Sequence, residues 1–174
     1  MIYYHDGIIT VRSMKENDSR IIYEELLKQN WHPSVKTYEN YFEEQERNQR
    51  YVFIAEYEGN IAGFTTLLPD ASSGPFANKG IPEIVDFNVL EKYQKKGIGN
   101  KILDVTERAA SGISDVVSLG VGLHYGYGSA QRIYVKRGYI PDGSGVWYKS
   151  KQLEQYCDCC NDDDLVLYFS KKLS

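Results

Sequence analysis

The stretch from Ile81 to Asn100 constrains this chain more than any other. "IPEIVDFNVL" (81–90) is apolar on both faces, as a strand inside a sheet is. Soon after it, Gln94-Lys95-Lys96-Gly97-Ile98-Gly99 runs straight into a helical stripe of Ile98, Ile102, Val105 and Ala109, with Gly112 as a C-terminal stop. A strand that turns over glycines into a helix makes a βα unit, so the chain is an α/β protein. The turn has a chemical consequence as well. The first N–H groups of a helix have no partner inside it, and the helix dipole favours negative charge there. Glycines remove side-chain obstruction, and Lys95 and Lys96 add attraction. The ligand that suits such a turn is an anion, above all a phosphate.

The flanking elements follow from periodicity. "GIITVRS" (7–13) alternates as a first strand. "NDSRIIYEELLKQN" (17–30) is a helix with Asp18 or Ser19 at its cap and Glu24 paired to Lys28. Trp31-His32-Pro33 breaks it, and "SVKTYENYFEEQERN" (34–48) is a second helix with Val35, Tyr38 and Phe42 on one stripe. "YVFIAEY" (51–57) and "IAGFTTLLP" (61–69) are strands joined by Glu58-Gly59-Asn60, a hairpin signal. Residues 70–80 are a loop by composition. "DVVSLGVGL" (115–123) is a buried strand and "GSAQRIYVKRG" (128–138) a short helix closed by Gly138. "YIPDGSGVWYK" (139–149) starts as a strand and then loops, and "DLVLYFSKKL" (164–173) is a closing strand. The expected fold is α/β (α+β): one mixed, mostly antiparallel central sheet of about seven strands flanked by about four helices, in a single domain over residues 1–174.

Charge and cysteine usage narrow the partners. With 24 acidic and 20 basic residues the net charge is −4, which argues against a nucleic-acid binder and suits a cationic small molecule. No apolar run approaches a membrane span, so no membrane partner is expected. "MIYYHDGIIT" lacks a basic segment followed by an apolar one, so it is not a secretory signal, and the expected location is cytoplasmic. Cys157, Cys159 and Cys160 are odd in number and adjacent, which excludes a long-range disulfide framework and implies reduced thiols. The C-x-C-C run has no matching pair, and His5, His32 and His124 stand at no metal-ligand spacing, so no metal is expected.

Three phosphate-binding patterns compete for the glycine turn, beside the bland alternative of a turn glycine next to a helix cap. A P-loop would need G-x-x-x-x-G-K-[ST], which is absent. A dinucleotide turn would need a third glycine where Ile102 stands. The third pattern, Q-x-x-G-x-G after a strand, is present as Gln94-Lys95-Lys96-Gly97-Ile98-Gly99. It resembles the pyrophosphate loop of the GNAT superfamily of acetyl-coenzyme A-dependent N-acetyltransferases. Further matches lie at family-like separations. The element order is similar over nearly the whole chain, and "AEYEGNIAGF" looks like the family's second and third strands. Ala130, Tyr134, Gly138 and Tyr139 resemble its later motif. The departure is Tyr127, where many members carry Asn, and this puts one contact to the cofactor arm in doubt.

The resemblance implies a function and its residues. An amine would attack the thioester of acetyl-coenzyme A directly. The pyrophosphate would rest on the main-chain N–H groups of Gln94, Lys95, Lys96, Gly97, Ile98, Gly99 and Asn100. The coenzyme's amide-rich arm would add to the strand like an extra strand, along Phe87, Asn88 and Val89, with the Phe87 N–H aimed at the thioester carbonyl. Tyr134 would protonate the departing thiolate. Glu83 is the candidate base, on the strand where histone-acetylating members carry theirs. Asp86 falls on the opposite face by alternation and is the weaker candidate, and ordered water serves instead in many members.

The acceptor is less sharply drawn. Trp31, Tyr38, Trp147 and Tyr148 are candidates for lining a site for a small-molecule or peptidic amine, with core packing as the alternative for each. Asn161-Asp162-Asp163-Asp164 is either a solvated turn or an attraction for a polycation. A protein N-terminus or lysine as acceptor, another acyl group, a non-catalytic acyl-CoA-binding module and a homodimeric assembly all remain compatible with the sequence.

Overall fold

The computed structural model describes residues 1–173, which carry nine strands and four α-helices. They divide into two compact units: Met1–Leu68 with Val85–Ala109, and Pro69–Ile84 with the chain from Ala110 onward.

The first unit holds β1 (Ile2–His5), β2 (Ile9–Ser13), α1 (Asp18–Lys28), α2 (Val35–Glu46), β3 (Tyr51–Tyr57) and β4 (Asn60–Leu68). It also holds the last five residues of β5 (Glu83–Val89) and most of α3 (Ile98–Ser111). Its strands lie in the order β1-β2-β3-β4-β5, and the first three neighbouring pairs are antiparallel. Asp6 makes the first hairpin: its Oδ1 accepts the N–H groups of Ile8 at 3.0 Å and Ile9 at 2.7 Å. The hairpin from β3 to β4 turns through Glu58 and Gly59, both at positive φ, as two-residue turns between twisted strands require.

One apolar face of these strands packs on α1 and α2 through Met14, Ile22, Leu26, Tyr38, Val52, Ile54, Ile61, Phe64 and Leu90. Each such side chain contributes about 1.5–3 kcal/mol relative to its exposed state. The entry to α1 is set by charge. Buried Arg12 on β2 binds Asp18 through Nη1 at 2.6 Å and Nη2 at 3.1 Å, and its Nε donates to Glu56 on β3 at 2.7 Å. Two carboxylates around one guanidinium satisfy its fork of donors, which keeps this buried charge tolerable.

The second unit holds the first two residues of β5, then β6 (Val116–Gly122), α4 (Gly128–Lys136), β7 (Ile140–Tyr148), β8 (Lys151–Gln152) and β9 (Leu165–Lys172). The order is β5-β6-β9-β7-β8. The β5–β6 ladder is parallel and comprises Glu83 with Ser118 and Ile84 with Leu119, whereas the other pairs are antiparallel. Val117, Leu119, Val121, Tyr134, Tyr139, Leu165, Tyr168 and Phe169 are among its buried side chains.

The architecture is the expected mixed, mostly antiparallel one, but with nine strands rather than about seven. The extra ones are β1 and β8. β1 is too short and mixed to show alternation, and it exists because Asp6 folds it back on β2. β8 is a two-residue return paired to Trp147 and Tyr148. Residues 140–148 are also strand throughout, where a loop is expected past the start. Asp142, Gly143, Ser144 and Gly145 fall within a register shift of that strand, so the glycines mark a bulge and not an end.

Gly63 on β4 sets how near β5 can come. A Cβ there would lie 2.6 Å from the Asn88 carbonyl oxygen and 3.2 Å from the Val89 Cα. Gly63→Val should therefore lower stability by about 1–3 kcal/mol, read as a fall in melting temperature; an unchanged melting curve would contradict this close approach.

Candidate active site

The glycine turn lies wholly in the first unit. A 3₁₀ turn at Glu91–Tyr93 leaves β5, and it is held by Tyr93 N–H to Leu90 O at 2.8 Å and Glu91 N–H to the Gln29 side chain at 2.7 Å. Gln94 then donates from Nε2 to the Val89 carbonyl at 3.2 Å, tying the turn to the strand. Lys95 sits at φ +63° and Gly97 at φ +81°, so the left-handed region is visited twice within three residues. Such backbone brings successive N–H groups toward one concavity, the arrangement that holds anions. Nothing lies within 4 Å of where a Gly97 Cβ would be, so that side of the turn is open. The Lys101 N–H makes the first bond back onto the turn, to Gly97 O at 3.3 Å, and the amides ahead of it begin the helix. Buried Ile98, Ile102 and Leu103 fix that helix start against the core. The lysines stay outside: Lys95 and Lys96 are exposed, and the Lys96 ammonium stands 4.2 Å from the Tyr57 ring centroid.

Phe87, Asn88 and Val89 follow on β5, each half-buried. The strand is not regular above them. Asp86 has φ +55°, an uncommon conformation for a residue with a side chain. The hydroxyls of Thr65 and Thr66, neighbours on β4, both donate to the Val85 carbonyl, at 3.2 and 3.1 Å. Strand alternation therefore does not carry through this point, and the face of Asp86 does not follow from it. Its carboxylate accepts from the Tyr41 hydroxyl at 3.3 Å and from Asn88 Nδ2 at 2.6 Å. Burial raises its pKa above the ordinary carboxylate value, against the lowering effect of Tyr41, Asn88 and Arg50.

Glu83 and Tyr134 lie in the second unit. Glu83 is buried at 7% exposure, on the parallel ladder with β6, and is not the solvated strand-end carboxylate of the bland alternative. Tyr134 is buried on α4, with its ring edge-on to Tyr139 at 5.6 Å. Burial, with a smaller effect from Tyr127, drives its phenol pKa well up, so it stays protonated across the working pH range. Gly138, at φ +87°, ends α4, and Tyr139 N–H returns to Tyr134 O at 3.0 Å. The Ala130-to-Tyr139 motif is thus a capped helix end that buries two tyrosines. Tyr127, in the place of the family's Asn, packs its ring on Gly122 and donates to Asp163 Oδ1 at 3.0 Å.

The acceptor candidates divide. Tyr38 is core, Trp31 is exposed, Trp147 donates to Ser144 Oγ at 2.8 Å, and Tyr148 donates to Asp162 Oδ2 at 3.1 Å. Sequence reasoning gave no weight to Tyr41 and Arg50, which surround Asp86: the Arg50 guanidinium lies 4.5 Å from the Tyr41 ring centroid. The three cysteines are free and exposed. Among the described residues no group of three or more His, Cys, Asp and Glu side chains is placed to hold a metal ion, and no helix is long and apolar enough to cross a membrane.

Known structures share this architecture. The acetyltransferase from Salmonella typhimurium that modifies the N-terminal serine of ribosomal protein L7/L12 superposes with a TM-score of 0.73 at 13% identity, covering 100% of both chains. The yncA protein of the same organism, solved with its cofactor acetyl-CoA, matches at 0.70 and 15% identity over 97% of this chain and 95% of its own. A chimera of the Vibrio cholerae spermidine N-acetyltransferase SpeG with hSSAT matches at 0.68 and 15%, over 95% and 96%. At these identities the likeness shows the fold. No curated protein matches the sequence. The family is shown by residues 19–139, which match the model of the Acetyltransferase (GNAT) family: the chain belongs to the GNAT acetyltransferases.

The turn carries its own test. Gly97→Ala meets no neighbour, so its cost comes from the left-handed backbone alone, about 1–2 kcal/mol by denaturant unfolding. An unaltered midpoint would show that the turn does not need this conformation.

Proposed function

We propose that the chain, acting as one domain over residues 1–174, moves an acetyl group from acetyl-CoA to a primary amine of a small molecule or peptide, by direct attack in a ternary complex. The observation that carries this reading is the turn between β5 and α3, where two left-handed residues and a helix start face an open side. Its amides from Lys95 to Asn100 hold the pyrophosphate, the Gln94 N–H expected to join them being bound instead to the Glu91 carbonyl at 3.2 Å, and Lys95 and Lys96 raise the local anion concentration. The acetyl-CoA bound by the yncA protein supports the choice of donor. The relatives that act on an N-terminal serine and on spermidine support an amine acceptor.

The reaction asks three things of the protein. The thioester must be held, and the main chain of Phe87, Asn88 and Val89 does this, with the Phe87 N–H stabilising the charge that develops on the carbonyl oxygen. The acceptor must lose a proton, because an alkylammonium has a pKa near that of lysine, about 10.4. A carboxylate of β5 takes it, and Glu83 is the candidate that the family resemblance supplies. The departing thiolate must be protonated, and the Tyr134 phenol, kept neutral by burial, is the donor.

Thiol release against a panel of primary amines and acyl-CoA donors tests the reading, and a protein that binds coenzyme A but releases no thiol with any of them would refute it. Tyr134→Phe should lower kcat by roughly a hundredfold with coenzyme A affinity kept within twofold. Gly97→Val should do the reverse, weakening coenzyme A binding tenfold or more in calorimetry of a folded protein.

A further inference from the structure

We propose that Asp86, and not Glu83, is the base that takes the proton of the acceptor ammonium. This rests on the acetyl-transfer reading above and adds to it the residue and the chemical class of acceptor: a primary amine that arrives charged.

The argument begins with the backbone. A non-glycine residue held at positive φ inside a strand costs on the order of 1–3 kcal/mol and persists only where its surroundings over-determine it. Here they do. The Val85 carbonyl next to it is claimed by two hydroxyls of β4 at once. The carboxylate is then held from α2 by the Tyr41 hydroxyl and along its own strand by Asn88. Beside it stand Tyr38 and Tyr41 from α2 and Arg50 ahead of β3. Arg50 is itself committed, to Glu44 and to Thr66 Oγ1 at 2.7 Å. Among the described residues Asp86 therefore has no close ion pair, and its carboxylate, though largely buried, is not closed off from solvent as Glu83 is. A partly desolvated carboxylate is a stronger base than a solvated one, and an incoming ammonium meets it without displacing a resident cation.

The step balances. The ammonium gives one proton to Asp86 and becomes a neutral amine. Its lone pair forms the C–N bond as the C–S bond breaks. The thiolate takes a proton from Tyr134, the second proton lost by the nitrogen makes good that phenol by way of solvent, and Asp86 returns its own to solvent.

The test compares pH profiles of thiol release for the wild type, Asp86→Asn and Glu83→Gln with the best amine of the panel. Asn tolerates the left-handed conformation, so the variant keeps its backbone. Since the raised pKa means that the ionised form is disfavoured in the fold, Asp86→Asn should melt no lower than the wild type at neutral pH, with any gain fading as pH falls. Expected for Asp86→Asn are a loss of at least about a hundredfold in kcat/KM, loss of the acidic limb, and coenzyme A affinity within twofold. Glu83→Gln should keep the limb. A limb that survives in Asp86→Asn and vanishes in Glu83→Gln overturns the proposal. A carbon-detected NMR titration of Asp86 in the unliganded protein decides independently of turnover: a midpoint above the reference of about 3.9 supports the assignment, and one at or below it refutes it. A wild type that turns over no amine would sink the acetyl-transfer reading itself.

Discussion

A helix cannot pair its own first N–H groups, and the proposed donor site is built on this constraint at the start of α3. Lys95 and Gly97 take left-handed backbone, the 3₁₀ turn before them is pinned by Leu90, Gln29 and Val89, and Ile98, Ile102 and Leu103 lock the helix behind them. The result is a turn braced on both sides, open at Gly97, where the polar groups proposed to bind come from the main chain. Such a site tolerates varied side chains around it, which is consistent with the low identity to other chains of the same fold.

β5 is the second determinant. It begins as a regular parallel partner of β6 and then departs from regularity at Val85 and Asp86. Gly63 lets it lie close to β4 beyond that point, and the two threonine hydroxyls of β4 take up the Val85 carbonyl. The irregularity is therefore supported from its neighbour. At this irregularity the Asp86 carboxylate accepts from the Tyr41 hydroxyl of α2.

Much of this was legible before any coordinates. The strand–glycine–helix transition, the hairpin at Glu58-Gly59 and the four helices follow from periodicity and turn chemistry, because those signals are local. Three things were not legible. β1 and β8 exist through pairing and a single capping Asp, not through their own pattern. The bulge in β7 looks like a loop in sequence because glycines mark both. The surroundings of Asp86 are not legible because alternation assumes a regular strand, and one left-handed residue suspends that rule. The available signal was the Asp-x-Asn spacing of Asp86 and Asn88 inside an apolar run, a polar pair that needs a reason to be there.

On the proposed reading the diphosphate of the acyl donor sits on the main-chain amides from Lys95 to Asn100. A crystal structure of the protein with coenzyme A measures this directly. Phosphate oxygens are expected within hydrogen-bond distance of those N–H groups. A coenzyme seated elsewhere, with the turn untouched, would contradict it.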